Sequence, residues 1–252
     1  VDAGTAASLL GAGLLAGAVN TLAGGGSLVL VPALIAAGMP STIANATSRI
    51  PILAQCAAGA VGFARGGKLP TAAVRNVLPP VMVGAGVGAY VATLIPPRVL
   101  TPMILGTLVL MAIALVAVSP SRWAPPPDAT PRAARGPWAM LGLFAAGVYG
   151  GVLQAGAGLL FIGILAGGLR YDLIRANALK AVVMLAYIAL TAAVFIAYDM
   201  VRWAPGLVMA VGAMLGAWLA SQVALTRHGG VITRVVVIAS LLGSAAILVT
   251  RL

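Results

Sequence analysis

AGGGSLVLVPALIAAGMPSTIANATSRIP, Ala23 to Pro51, sets three glycines and a serine inside apolar sequence, then Pro32, then the polar group Asn45, Thr47, Ser48 and Arg49. A span that only has to sit in lipid has no use for these residues. Glycine costs a helix stability, and polar groups taken out of water need partners. At the helical rise, the apolar piece 27–38 is about 18 Å long, too short to cross roughly 30 Å of hydrocarbon. Gly38, Met39 and Pro40 end it, and a helix from about residue 43 to 63 follows.

The rest of the chain fixes the solvent. Of 252 residues, 62% are hydrophobic and 8% charged, against about 25% charged in an ordinary soluble domain. Mean hydropathy is +1.10. Apolar runs of helical span length recur from end to end, without the alternation of an outer-membrane barrel. The fold class expected is an all-α polytopic membrane protein. The net charge of +11 reads as loop arginines and lysines that set topology rather than as a nucleic-acid surface. Cys56 is the one cysteine, so internal disulfides and cysteine metal clusters are excluded, and its place in an apolar run suits a small buried filler. No cofactor or metal is expected. The first apolar run, 5–22, lacks the basic start and cleavage pattern of a signal peptide and reads as mature membrane sequence.

After residue 63 come a basic loop with Arg65, Lys68 and Arg75, and spans near 76–95 and 101–118. The Pro-rich stretch 119–137 divides an N-terminal membrane unit, 1–118, from a C-terminal one, 138–252. In the second unit an apolar piece 138–153 meets a break at Gly156 and Gly158, then a short piece to about 169. Spans near 173–197, 204–225 and 231–250 complete it.

The plan repeats at a constant offset of 132: Gly24 falls on Gly156, Gly26 on Gly158, Phe63 on Phe195, Gly84 on Gly216 and Asn45 on Asn177. An ungapped register that carries Asn and Phe as well as Gly indicates duplication. If each glycine-broken piece enters and returns as a hairpin, three full spans remain per half, and an odd number inverts the second half. Loop cations then divide ten to three between the two faces; with single crossings they divide eight to five. The expectation is therefore two inverted-topology repeats, each a glycine-broken helical hairpin plus three transmembrane helices, with both termini outside and the linker in the cytoplasm.

Two of the 15 basic residues, Arg49 and Lys180, fall about six residues inside spans, on neighbouring repeat positions. A cation at that depth is costly and is read as functional; the alternative is that each snorkels or bonds carbonyls of a broken helix. The only acids, Asp2, Asp128, Asp172 and Asp199, lie at termini, in the linker or at span ends. An anionic substrate is thus the natural counter-charge. The candidate binding residues are Gly24, Gly25, Gly26 and Ser27 at the first break and Gly156 and Gly158 at the second, where half-helix N-termini would attract an anion. Asn45, Thr47, Ser48, Arg49, Asn177 and Lys180 join them, with Gln55, Tyr149, Gln154 and Tyr187 as further candidates. Trp123, Trp138, Trp203 and Tyr198 read as an interfacial belt.

These stretches also look familiar. GGGSLVLVPALIAAGMPSTIANATSR (24–49), YGGVLQAGAGLLFIGIL (149–165), IRANALK (174–180) and FIAYDMVRWAPGLVMAVGAMLGAWLA (195–220) resemble the TauE/SafE family, the sulfite exporter or 4-toluene sulfonate uptake permease family. The resemblance implies a multi-pass transporter of the bacterial inner membrane for sulfite, organosulfonates or related anions. Ala157 interrupts the second glycine motif, which in the family is often a triplet.

With no carboxylate or histidine inside a span, export along an interior-negative potential needs no coupling ion; uptake would need a proton or sodium. Three other readings are open. An anion channel uses the same residues. A membrane scaffold would use the cations as headgroup anchors. An intramembrane enzyme would need a nucleophile and base or a metal cluster, which one Cys and one His do not supply. The partners expected are a small anion and the bilayer, with no nucleic acid; a homo-oligomer is compatible with the sequence.

Overall fold

A computed structural model describes residues 2–23, 26–65, 69–117, 125 and 130–224 of the chain. Gly24, Gly25, most of the linker and the span expected near 231–250 lie outside the described residues. Ten α-helices are described: α1 Ala3–Ala23, α2 Ser27–Ala36, α3 Ser41–Thr47, α4 Arg49–Arg65, α5 Thr71–Leu94, α6 Pro97–Ala117, α7 Pro137–Val152, α8 Ala157–Ile162, α9 Leu173–Ala197 and α10 Trp203–Ala224. Among the described residues there is no strand. Four segments are long and apolar enough to cross a membrane: Ala3–Thr21, Thr71–Leu94, Leu173–Ala197 and Trp203–Ala220. The chain is an all-α membrane protein.

Local chemistry explains the ends. Asp172 caps α9, its Oδ1 accepting from the backbone N–H of Ile174 at 3.1 Å and Arg175 at 3.0 Å. Pro137 opens α7, where a missing N–H costs nothing. Gly38, at φ 88°, closes α2. The helix expected over 43–63 is two helices, divided at Ser48, whose Oγ donates to the Asn45 carbonyl at 2.8 Å. The second break also falls earlier than the glycines suggested. It runs from Leu153 to Gly156, Gln154 and Gly156 both take left-handed backbone (φ 62° and 70°), and Gly158 lies inside α8. A π-helical turn, Gly163–Gly168, carries α8 on to Leu169.

Close packing of small residues sets the helix pairs. A Cβ on Gly17 would overlap the Ala213 carbonyl, and one on Gly13 that of Met209, so α1 and α10 lie backbone to backbone and run in the same direction. Gly84 meets Phe144 and Gly88 meets Val148 in the same way, so α5 and α7 are also parallel. Across the centre α4 and α9 run oppositely: Arg49 reaches Phe195, while Gly59 packs on Ala181. Large apolar side chains such as Val83, Leu110, Leu141 and Leu219 face outward, as suits lipid.

The chain doubles back at both breaks. Gly26 packs against Ala16 and Asn20 of α1. The Arg132 N–H, just before α7, donates to the Leu169 carbonyl at 2.8 Å, so the start of α7 and the end of the π-helical turn share one end of the molecule. Arg135 Nε donates to Asn76 Oδ1 at 3.5 Å, which brings the start of α5 to that end too. At the other end Ser41 of α3 meets Thr101 of α6, their hydroxyls 2.7 Å apart. Trp138, Trp203 and Tyr198 stand exposed at helix ends, as the interfacial belt requires; Trp123 lies outside the described residues.

Candidate functional site

Arg49 is the first residue of α4 and is fully buried. The kink at Ser48 aims its side chain across the molecule at the end of α7. Its Nη1 donates to the Gly150 carbonyl at 2.6 Å and to Gln154 Oε1, and its Nη2 to the Gly151 carbonyl at 2.8 Å. The guanidinium carbon stands 5.2 Å from the centre of the Phe195 ring, an additional favourable contact for a cation. Asn45 Nδ2 donates to the Val152 carbonyl at 2.8 Å. Two side chains of the first half thus hold the last carbonyls of α7, which carry the negative end of that helix and have no partner within it.

Ser27 ties the two breaks together. Its Oγ donates to the Gln154 carbonyl at 3.2 Å and accepts from the Gly156 N–H at 3.0 Å. Tyr149 donates its hydroxyl to the Ala155 carbonyl and closes the same turn. Gly156 is crowded by Met111, which a Cβ would overlap.

The remaining candidates divide. Thr47 accepts the Arg202 N–H at 3.1 Å and holds the start of α10, and Ser48 bonds within its own turn. Gly158 is buried within α8. Asn177 donates to the Leu173 carbonyl at 2.9 Å and accepts from Lys180 Nζ at 2.9 Å. Lys180 is 7% exposed and lies within electrostatic reach of Cys56, two helical turns from Arg49. Gly59 packs on Ala181, the residue after Lys180, so the two cations lie on one helix seam but on the order of 15 Å apart along α4.

Every buried side-chain nitrogen or oxygen without a partner among the described residues belongs to this region: Asn45 Oδ1, Arg49 Nε, both amide atoms of Gln55, Gln154 Nε2 and Tyr187 Oη. Tyr187 packs on Phe161, ring centres 5.6 Å apart, and its ring edge would meet any side chain at Gly150. Unpartnered buried polar atoms are costly, and a water, an ion or a ligand can supply what they lack. N–H and O–H donors predominate here, and the described acids, Asp2, Asp172 and Asp199, are all exposed. Such a set suits a negatively charged ligand. Among the described residues no group of His, Cys, Asp and Glu could hold a metal.

Sequence reasoning missed Phe195 as a partner of Arg49, having noted it only as the repeat mate of Phe63. It also missed Gly150 and Gly151, which act through main-chain carbonyls and carry no side-chain signal.

An all-helical membrane protein with two interrupted helix pairs meeting at a buried, acid-free cationic centre is the class these features define. The chain belongs to the family described as sulfite exporter TauE/SafE, whose family model matches residues 9–247. It is 27% identical over 238 residues to the "Probable membrane transporter protein ORF9" of Sinorhizobium sp, covering 93% of this chain and 89% of that one. It is 29% identical over 239 residues to the "Probable membrane transporter protein YfcA" of Escherichia coli strain K12, covering 93% and 86%. No solved structure matches the chain.

Proposed function

We propose that this protein transports a small anion, of the sulfite or organosulfonate type, across the bacterial inner membrane by alternating access between two inverted repeats. The observation that carries this reading is the pair of buried cations, Arg49 and Lys180, while the described acids, Asp2, Asp172 and Asp199, are all exposed and outside the helix interiors. A buried cation without a carboxylate beside it is costly, and an anion that visits and leaves the seam the two cations share relieves that cost reversibly. Family membership and the names of the two relatives support transport.

The repeat reading draws on the helix directions. The offset of 132 carries α1 toward α7, α4 into α9 and α5 onto α10. Under it the parallel pair α1 and α10 becomes the parallel pair α7 and α5, and the antiparallel pair α4 and α9 maps onto itself. Equivalent helices that run oppositely are what inverted repeats require. The described arginines support the orientation: Arg75, Arg132, Arg135, Arg170 and Arg175 gather at the end shared by the starts of α5, α7 and α9, against Arg98 and Arg202 at the other. The arginine-rich end is cytoplasmic by the positive-inside rule. An interior-negative potential then drives an anion outward with ~2.3 kcal/mol per charge per 100 mV, so export is the favoured direction.

The test is sulfite and methanesulfonate flux in proteoliposomes under a potassium-diffusion potential, with pH and sodium gradients at zero. Saturable flux that follows the potential is the expected result. Non-saturating conductance makes the protein a channel, flux that requires a proton or sodium gradient makes it a coupled permease, and absence of flux for both anions overturns the substrate class.

A further inference from the structure

We propose that Lys180, with the Gln55 amide on the same helix seam, supplies the charge and hydrogen bonds that hold the anion, and that Arg49 is a positioning residue for the α7–α8 turn. This rests on the anion-transport reading above and divides its two cations into different roles.

The hydrogen-bond accounts of the two cations differ. Arg49 gives three of its five N–H donors to the carbonyls of Gly150 and Gly151 and to Gln154 and stacks over Phe195, leaving Nε and one Nη2 hydrogen. The two carbonyls end α7, so the guanidinium is balanced by a helix end that is always present. Lys180 has three N–H donors and one partner, Asn177 Oδ1, which is neutral. It is nine-tenths buried with no carboxylate among the described residues to face it. Its missing partner is an anion.

Gln55 points the same way. It is 4% exposed, and neither its carbonyl oxygen nor its amide nitrogen has a partner. A primary amide left wholly unpaired in a buried seam is costly unless a ligand completes it. Gln55, Cys56 and Gly59 share one face of α4 by their spacing. Gly59 packs on Ala181, the residue after Lys180, and Cys56 lies within electrostatic reach of Lys180 itself. Gln55 therefore faces the same α4–α9 seam as the ammonium group.

The repeat offset sharpens the contrast. It carries Asn45 onto Asn177, Ser48 onto Lys180 and Gln55 onto Tyr187. In the first half Asn45 and Arg49 are spent on the end of α7. In the second half Asn177 bonds within its own helix and to Lys180, and no helix end takes up the charge of Lys180, the repeat neighbour of the Arg49 position.

The experiment measures thermal unfolding of the full-length protein in detergent against sulfite and methanesulfonate, together with flux in proteoliposomes. Lys180→Met is expected to unfold no earlier than wild type without anion, and to need about tenfold or more anion for the same stabilisation. Lys180→Arg retains a response, and Gln55→Ala weakens it severalfold. Arg49→Ala unfolds earlier without anion, yet what remains folded responds at wild-type concentrations; if it does not fold, Gln154→Ala removes one of its partners and is read in the same way. Lys180→Met responding like wild type, or Arg49→Ala keeping its stability while losing the response, overturns the assignment. Wild type showing neither response nor flux with both anions overturns the transport reading itself, so the two failures are distinct.

Discussion

The Nη2 atom of Arg49 lies 2.8 Å from the carbonyl oxygen of Gly151, joining the first residue of α4 to the penultimate residue of α7 across 102 positions of sequence. One side chain thus closes the end of a helix in the other half of the molecule. Replacing Arg49 with Ala strands the carbonyls of Gly150 and Gly151 and the Gln154 amide together. The expected loss is about 3–5 kcal/mol, the usual cost of removing one partner from a buried charged contact, because the relieved desolvation of the guanidinium offsets part of the three lost bonds. Denaturation in mixed micelles reads this directly, and an Arg49→Ala protein as stable as wild type would remove the capping role.

Gln154 combines a side chain that Arg49 uses with a backbone that only glycine adopts freely, at φ 62°. Gln154→Ala loses the acceptor and keeps the left-handed backbone; Gln154→Gly loses the acceptor and relieves the backbone. The glycine variant should be the more stable of the two by about 1 kcal/mol. Equal stability would mean that the turn relaxes out of the left-handed region when the side chain is removed.

Gly11 and Gly17 sit in the same helix with opposite surroundings. Nothing lies within 4 Å of a Cβ on Gly11, whereas one on Gly17 runs into the main chain of Ala213. Gly11→Ala should leave folding intact. Gly17→Ala should cost about 1–3 kcal/mol or force α1 away from α10, seen as lost monodispersity on size-exclusion chromatography. Similar behaviour of the two would show that the α1–α10 contact is loose.

Single cysteines test the direction of the second hairpin, in a Cys56→Ser background because Cys56 is buried. Cysteines at Arg135 and Arg170 should react with a membrane-impermeant maleimide from the same face, and cysteines at Arg98 and Asp199 from the opposite face. Labelling of positions 135 and 170 from opposite faces would mean that α7 and α8 make a single crossing.

Much of this architecture is legible in the chain because uninterrupted apolar length is a strong signal. The spans α1, α5, α9 and α10 fall where hydropathy places them, to within a few residues. The break at Ser48 was missed although Pro51 signals it, since a proline has no N–H for the Thr47 carbonyl and its ring crowds that carbonyl. The second break was placed on glycines, while the structure also uses Gln154, a residue type with no preference for that backbone. The candidate site was legible as a set of polar residues in apolar runs, and those residues do account for every unpartnered buried atom among the described ones. Depth in a span gave no direction, however, so Arg49 and Lys180 read as equivalents until their partners were known. Those partners are main-chain carbonyls for one and a lone amide for the other.

The parallel pairing of α1 with α10 has a consequence for biosynthesis. About 180 residues separate the end of α1 from the start of α10, which at roughly 5–20 residues per second is on the order of 10–40 s of translation. For that interval the glycine face of the first helix has been made and the surface that fits it has not. The nascent chain must hold an unfinished seam in the bilayer or the insertion machinery until its last described helix arrives, and truncation before α10 leaves that seam open permanently.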